Sequence, residues 1–330
     1  MAHHLLLGDT LLLTPMLAKL RQRYPEAKIW MTVIPSLVSL YEGCPYGVRV
    51  LPYHPKQVST LWHWLKFSHF DLAVVPGDNR YAWLARALGA RTIVALAGDG
   101  RAWKDWQVDW HVPWPKAPCT LAEIFMALVD GQEPSPYTPS QWPFVAPENA
   151  LPVSSYCVMH VSARNSLRRW SATHWHSLAN IMRLRGFRIV WSTAPGEAAL
   201  LESVTPASND IQIPGTLDLL GLRHLLTHAN LLITVETGIA HLCRLTGTPS
   251  IVIFGQGNPT LHGNESFWRS ASPMQPLFEE NISCRDQSHV FGRILPWVKR
   301  CDRTLNSCGQ PKCIDAILPE QVARATDILQ

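Results

Sequence analysis

Five short segments of this sequence place acid, base or anion-binding side chains directly after an apolar run. The first is Gly8-Asp9-Thr10. Asp9 or Thr10 would cap the helix that follows, or Asp9 would take a proton from a substrate hydroxyl at a cleft mouth. The second, residues 162–170 (SARNSLRRW), offers Ser162, Arg164, Ser166, Arg168 and Arg169. Guanidinium forks and hydroxyls match phosphate oxygens, and a solvated basic turn is the plainer reading. The third ends in Glu197, which complements a helix dipole or takes ribose hydroxyls. The fourth, Glu236-Thr237-Gly238, opens a helix that carries His241. Gly238 admits a close backbone approach, and free N–H groups at a helix start attract an anion. Glu236 is a cap or a ligand there, and His241 is a partly buried helix histidine or part of the site. The fifth, residues 254–259 (FGQGNP), is a tight strand-to-helix loop.

These segments need elements to hold them, and the pattern supplies strands alternating with helices. Apolar runs at residues 5–7, 27–34, 47–51, 70–76 and 92–96 predict strands, and 14–24, 59–67 and 81–88 predict helices. Six prolines between 134 and 152 then prevent regular structure. The alternation restarts beyond them, with strands at 156–161, 187–192, 231–235 and 250–254. Helices are expected at 172–185, 196–204, 217–228, 238–245 and 320–329. The reading is an α/β chain: residues 1–133 as one domain, 134–155 as a Pro-rich linker and 156–330 as a second domain. Ligands of open α/β sheets bind beyond the carboxyl ends of the strands, where the five segments fall.

Composition narrows the classes. The chain has 330 residues, 47% hydrophobic and 16% charged, which excludes a disordered protein. A formal charge of +4 gives no case for nucleic acid. No secretory signal pattern and no apolar stretch of membrane-spanning length is present, so the expectation is a cytoplasmic protein. There is no Walker A lysine motif, no GxGxxG after a strand and no GxSxG elbow. The chemistry therefore reads as hydroxyl deprotonation with anion binding, without hydride transfer or a serine nucleophile.

Two compositional features stay open. Trp103, Trp106, Trp110 and Trp114 recur at near-helical steps, as one packed helix face or as an aromatic surface for sugar rings or lipid. Lys104 and Lys116 beside them suit an anionic acceptor. Cys284, Cys301, Cys308 and Cys313 cluster near the carboxyl end, without a CxxC pair. Free thiols, a disulfide and a metal site all fit that spacing.

Together the motifs resemble those of the lipopolysaccharide heptosyltransferases, glycosyltransferase family 9. Residues 8–15 (GDTLLLTP) followed by LRQRYPEAKI resemble the amino-terminal signature. Arg168-Arg169-Trp170-Ser171 resembles a Lys-Arg-Trp-Pro turn, and residues 236–242 (ETGIAHL) resemble Asp-Thr-Gly-x-x-His-Leu. Residues 248–259 resemble Thr-Pro…Phe-Gly…Asp-Pro. The resemblance implies a GT-B fold, two Rossmann-like domains facing a central cleft, with the acceptor in the first and a nucleotide-sugar in the second. It implies inverting transfer of a heptose from ADP-heptose to a lipopolysaccharide core, needing no cofactor or catalytic metal, at the inner membrane face. It makes Asp9 the general base and Ser162, Arg168, Glu197, Glu236, Thr237, Gly238 and His241 the donor-binding residues. Thr10 and Lys104 lie on the acceptor side. Some relatives carry Cys-rich tails, and certain protein-modifying members bind iron there. Two departures stand out: Glu236 replaces the usual Asp, and Arg168 the usual Lys. Other readings are a family-9 enzyme with another donor sugar or a protein acceptor, and a nonenzymatic nucleotide-sugar-binding scaffold.

Overall fold

The computed structural model describes all residues except 62, 63, 65–68, 149–154, 264 and 330. It divides into two compact units. Unit 1 holds Met1–Ser135, Ser140–Phe144 and Ser288–Val298; unit 2 holds Pro136–Pro139, Val145–Gln287 and Lys299–Gln330. The proline-rich stretch contributes to both units, and a segment near residue 290 belongs to the first.

Unit 1 begins with α1 (Leu7–Leu11) and α2 (Thr14–Arg23), followed by β1 (Ile29–Val33) and β2 (Val48–Pro52), which pair in parallel. β3 (Phe70–Val75), α3 (Tyr81–Ala87), β4 (Ala90–Leu96) and β5 (Trp110–Val112) follow, and β3, β4 and β5 form a second parallel sheet. A capping box of Thr120 and Glu123 then starts α4 (Leu121–Met126).

The strand expected at residues 5–7 is instead a helix start. The amino-terminal residues join the sheets earlier: Thr32 donates its N–H to the Met1 carbonyl, and Ala2 donates to Val74 of β3. Leu5 is buried and Leu6 exposed, so the apolar run is split between core and solvent. The helix expected at 59–67 begins as a 3-10 turn, Val58–Leu61, and then passes mostly outside the described residues.

The tryptophan segment does not form a helix. A 3-10 turn at Ala102–Lys104 is followed by edge strand β5, which places the indoles apart. Trp106 and Trp110 are about 70% exposed (71% and 68%), whereas Trp114 donates its indole N–H to Ala97 O. Trp83 of α3 donates to Trp103 O and meets the Trp106 ring edge-on at 6.4 Å.

A two-stranded hairpin, His289–Val290 with Arg293–Ile294, completes unit 1. Arg293 is buried in it. Its guanidinium donates to Gly77 O, Leu96 O, Ala97 O, Phe291 O and Asn79 Oδ1, and lies 3.8 Å from Asp99. Five acceptors satisfy a buried cation that would otherwise carry a large desolvation cost.

Unit 2 contains β6 (Tyr156–His160), α5 (Ala172–Leu184), β7 (Arg188–Ser192), α6 (Ala199–Val204), β8 (Ile211–Ile213), α7 (Leu219–Thr227) and β9 (Leu231–Val235). α8 (Gly238–Cys243), β10 (Ser250–Phe254), α9 (Pro259–His262), α10 (Ser266–Arg269) and β11 (Met274–Phe278) follow. The strands form one parallel sheet in the order β11-β10-β9-β6-β7-β8. Every residue of β6, β9 and β10 is buried, as expected for parallel strands covered on both faces. Trp175 lies edge-on to Trp170 and Trp191 at the heart of this core. The carboxyl-terminal helix, expected at 320–329, is α-helical over Pro319–Ala325 and 3-10 over Thr326–Ile328. It packs on α5 through Arg185, which donates to Ala323 O and Thr326 Oγ1.

The strand order matters most for function. The chain builds outward from β6 through β7 to β8, then returns to the other side of β6 with β9. The crevice beyond the carboxyl ends of β6 and β9 is therefore a topological switch point.

Candidate active site

Two of the expected donor residues meet at this switch point. Glu236 follows β9, and its backbone N–H still bonds to Ile253 O of β10. Arg168 ends a 3-10 turn in the loop after β6. The side chains meet with Arg168 Nη1 3.7 Å from Glu236 Oε1. A third side chain, absent from the sequence reading, joins them: His262 Nδ1 of α9 lies 3.5 Å from the same oxygen. Glu236 is 7% exposed, and its other oxygen, Oε2, has no hydrogen-bond partner among the described residues. A buried carboxylate with one oxygen engaged and one unbonded is costly unless a ligand group completes it.

The surrounding loops are tied together. Asn165 of the β6 loop donates its amide to Gln256 Oε1 of the β10 loop at 2.7 Å, and Gln256 donates to Arg303 O. Thr237 caps α8 by accepting the Ile239 N–H. His241, one turn on, is buried and held neutral. Burial drives its pKa well below the usual 6.5, and Arg244 and His262 add to the effect. Its Nδ1 has no partner among the described residues, and its ring centroid is 6.1 Å from that of His262. Gly238 is the first residue of α8.

The other expected donor residues have different partners. Ser162 Oγ accepts the Ala194 N–H at 2.8 Å, linking the loops after β6 and β7. Glu197 is paired with Arg169, the neighbour of the expected cation. In unit 1, Asp9 lies in the first turn of α1, half-buried, and the buried Thr10 hydroxyl donates to Leu5 O. Lys104 is drawn inward: its ammonium pairs with Asp78 at 3.0 Å and Asp99 at 2.9 Å, leaving the side chain 10% exposed.

All eight cysteines are free thiols. Cys301 and Cys313 are buried, Cys284 and Cys308 half-buried. Burial raises the Cys313 thiol above its ordinary pKa, partly offset by Arg285. Among the described residues, no group of three or more His, Cys, Asp or Glu is arranged to hold a metal ion. No helix among the described residues is long and apolar enough to cross a membrane.

Two parallel α/β units, one with a carboxylate–guanidinium–histidine cluster at a switch point, fit the architecture of a GT-B glycosyltransferase. The family described as Glycosyltransferase family 9 (heptosyltransferase) matches residues 58–287. The chain belongs to that family. It is 23% identical to lipopolysaccharide heptosyltransferase 3 of Escherichia coli, over 88% of this chain and 93% of that one. Among solved structures it resembles a family 9 glycosyl transferase from Veillonella parvula, with a TM-score of 0.76 and 17% identity over 99% and 95% of the two chains. It also resembles the E. coli ADP-heptose lps heptosyltransferase II, with a TM-score of 0.71 and 15% identity over 98% and 95%.

Proposed function

We propose that this glycosyltransferase moves a heptose from ADP-heptose to a lipopolysaccharide core acceptor with inversion at the anomeric carbon. Unit 2 takes the donor and unit 1 the acceptor. The observation that carries this reading is the cluster of buried Glu236 with Arg168 and His262 at the switch point, Glu236 and Arg168 lying in segments that resemble the family's motifs. The relatives' names supply the donor and acceptor: one is a lipopolysaccharide heptosyltransferase, another an ADP-heptose enzyme.

Asp9 takes the proton of the acceptor hydroxyl as its oxygen bonds to the anomeric carbon. The bond from that carbon to the diphosphate oxygen breaks, and ADP leaves with the electron pair. Arg168 offsets the charge gathering on the departing phosphate. General-base help of this kind is worth ~10²–10⁴ in rate. For a lipid-linked acceptor, the exposed Trp83, Trp103, Trp106 and Trp110 supply amphipathic side chains suited to a membrane interface.

A second reading, a different donor sugar or a protein acceptor, is favoured by Glu236 in place of Asp. Calorimetry against ADP, UDP, GDP and CMP, repeated with EDTA, tests the donor. Selective ADP binding that survives EDTA supports the proposal; preference for UDP or GDP discards the ADP-heptose donor.

A further inference from the structure

Resting on the donor site proposed above, we infer that Gly257 and His262 are positioning residues that together aim the Glu236 carboxylate at the transferred sugar. Gly257 lies in the loop after β10, with its φ outside the left-handed region, so its backbone conformation does not demand glycine. Space does. A Cβ at this position would overlap the Glu236 carboxylate carbon and both of its oxygens. The longer side chain of Glu236 therefore occupies volume that exists only because residue 257 has no side chain.

His262 supplies the orientation. It sits on α9, whose start is fixed by Pro259 and by Asn258, which accepts the Thr260 N–H at 2.8 Å. With Arg168 it faces Oε1 of Glu236, at ion-pair distances of 3.7 and 3.5 Å, while Oε2 has no hydrogen-bond partner among the described residues. That oxygen is an acceptor without a donor, and the donor it suits is a hydroxyl. The ligand class is the polyhydroxylated glycosyl group of a nucleoside diphosphate sugar. ADP alone has ribose hydroxyls but no glycosyl group on its β-phosphate, so on this inference its binding does not need the pair.

The test is binding and turnover of ADP-heptose, compared with ADP alone, in G257A, E236D, G257A/E236D, H262A and H262Q. The atoms that a new Cβ meets belong to the free end of a side chain, so G257A is expected to fold and push the carboxylate aside. Misplacement by ~1 Å costs ~100-fold in a positioned site. The expected result is a large rise in Kd and KM for the sugar nucleotide in G257A, with ADP affinity unchanged. In G257A/E236D the shorter carboxylate clears the Cβ, so the loss shrinks about tenfold relative to G257A. H262A raises KM for the sugar nucleotide, and H262Q, which keeps a donor, recovers part of it.

Additive effects in the double variant, or equal losses for ADP and ADP-heptose, would overturn the inference. Should G257A fail to fold while G257A/E236D folds, the steric coupling stands and the histidine pair decides the sugar role. Should neither fold, the histidine pair again decides it. If the parent protein itself does not bind ADP, the donor assignment fails instead, and the same variants are read with the nucleotide sugar that does bind.

Discussion

Asp9 and Glu236 were both legible in the sequence as carboxylates after apolar runs, yet their surroundings differ. Asp9 is half-buried in the first turn of a five-residue helix. Glu236 is buried against a cation and a histidine. On the proposed role of Asp9 as general base, Asp9→Asn is expected to lower kcat by ~10²–10⁴ while leaving ADP affinity at the parent value. A calorimetric titration beside a turnover assay checks both halves, and an unchanged kcat would remove Asp9 from the mechanism. Ser162 has a stabilising task that its expected donor-binding role did not reveal. Ser162→Ala strands the Ala194 N–H and is expected to cost about 1–3 kcal/mol in urea unfolding. His262 escaped the sequence reading for a physical reason. It lies 26 residues beyond Glu236, on a four-residue helix with no amphipathic repeat, and only the folded loop after β10 turns it toward the carboxylate.

The strands of unit 2 could be read from sequence because they are buried on both faces, so each is an unbroken apolar run such as Leu231–Val235. Sequence failed where spacing imitates another period. Tryptophans at steps of three and four look helical, but Pro113 and Pro115 flank Trp114, and Trp110 lies in an edge strand. It failed again at α1, where three leucines in a row carry no information about which way the chain turns. The strand pair β6 and β7 carries a prediction in pH. His160 is buried, with Nδ1 3.2 Å from Ser192 Oγ, and burial lowers its pKa from 6.5 to about 4. The unfolded chain binds the proton first, so the contribution is complete above about pH 6.5, falls as pH drops toward 4, and then levels off. The span corresponds to ~3 kcal/mol at ~1.4 kcal/mol per unit. Urea midpoints between pH 7 and 4 should therefore fall less steeply in His160→Gln than in the parent; parallel slopes would show that another group carries the effect.

At the scale of the molecule, two α/β units were legible from the alternation of elements and the proline-rich break. The contribution of Ser288–Val298 to unit 1 was not, because it depends on long-range contacts, chief among them those of Arg293, whose partners lie about 200 residues earlier. Arg293→Met leaves Asp99 and five other acceptors without their guanidinium, and is expected to destabilise unit 1 by ~3–5 kcal/mol. Hydrogen exchange resolved by peptide should show the loss concentrated in β3 and β4 rather than in the sheet of unit 2.

The same anchor sets a timetable for biosynthesis. Residues 1–135 leave the ribosome early, but Asn79 and Asp99 lack the guanidinium that completes their network until position 293 has been made. At ~5–20 residues per second that interval is roughly 8–30 s. The half of the protein synthesised first is thus completed only after most of unit 2 has been made. A nascent chain halted before residue 288 should remain protease-sensitive in its amino-terminal part, and one halted well beyond residue 298 should not.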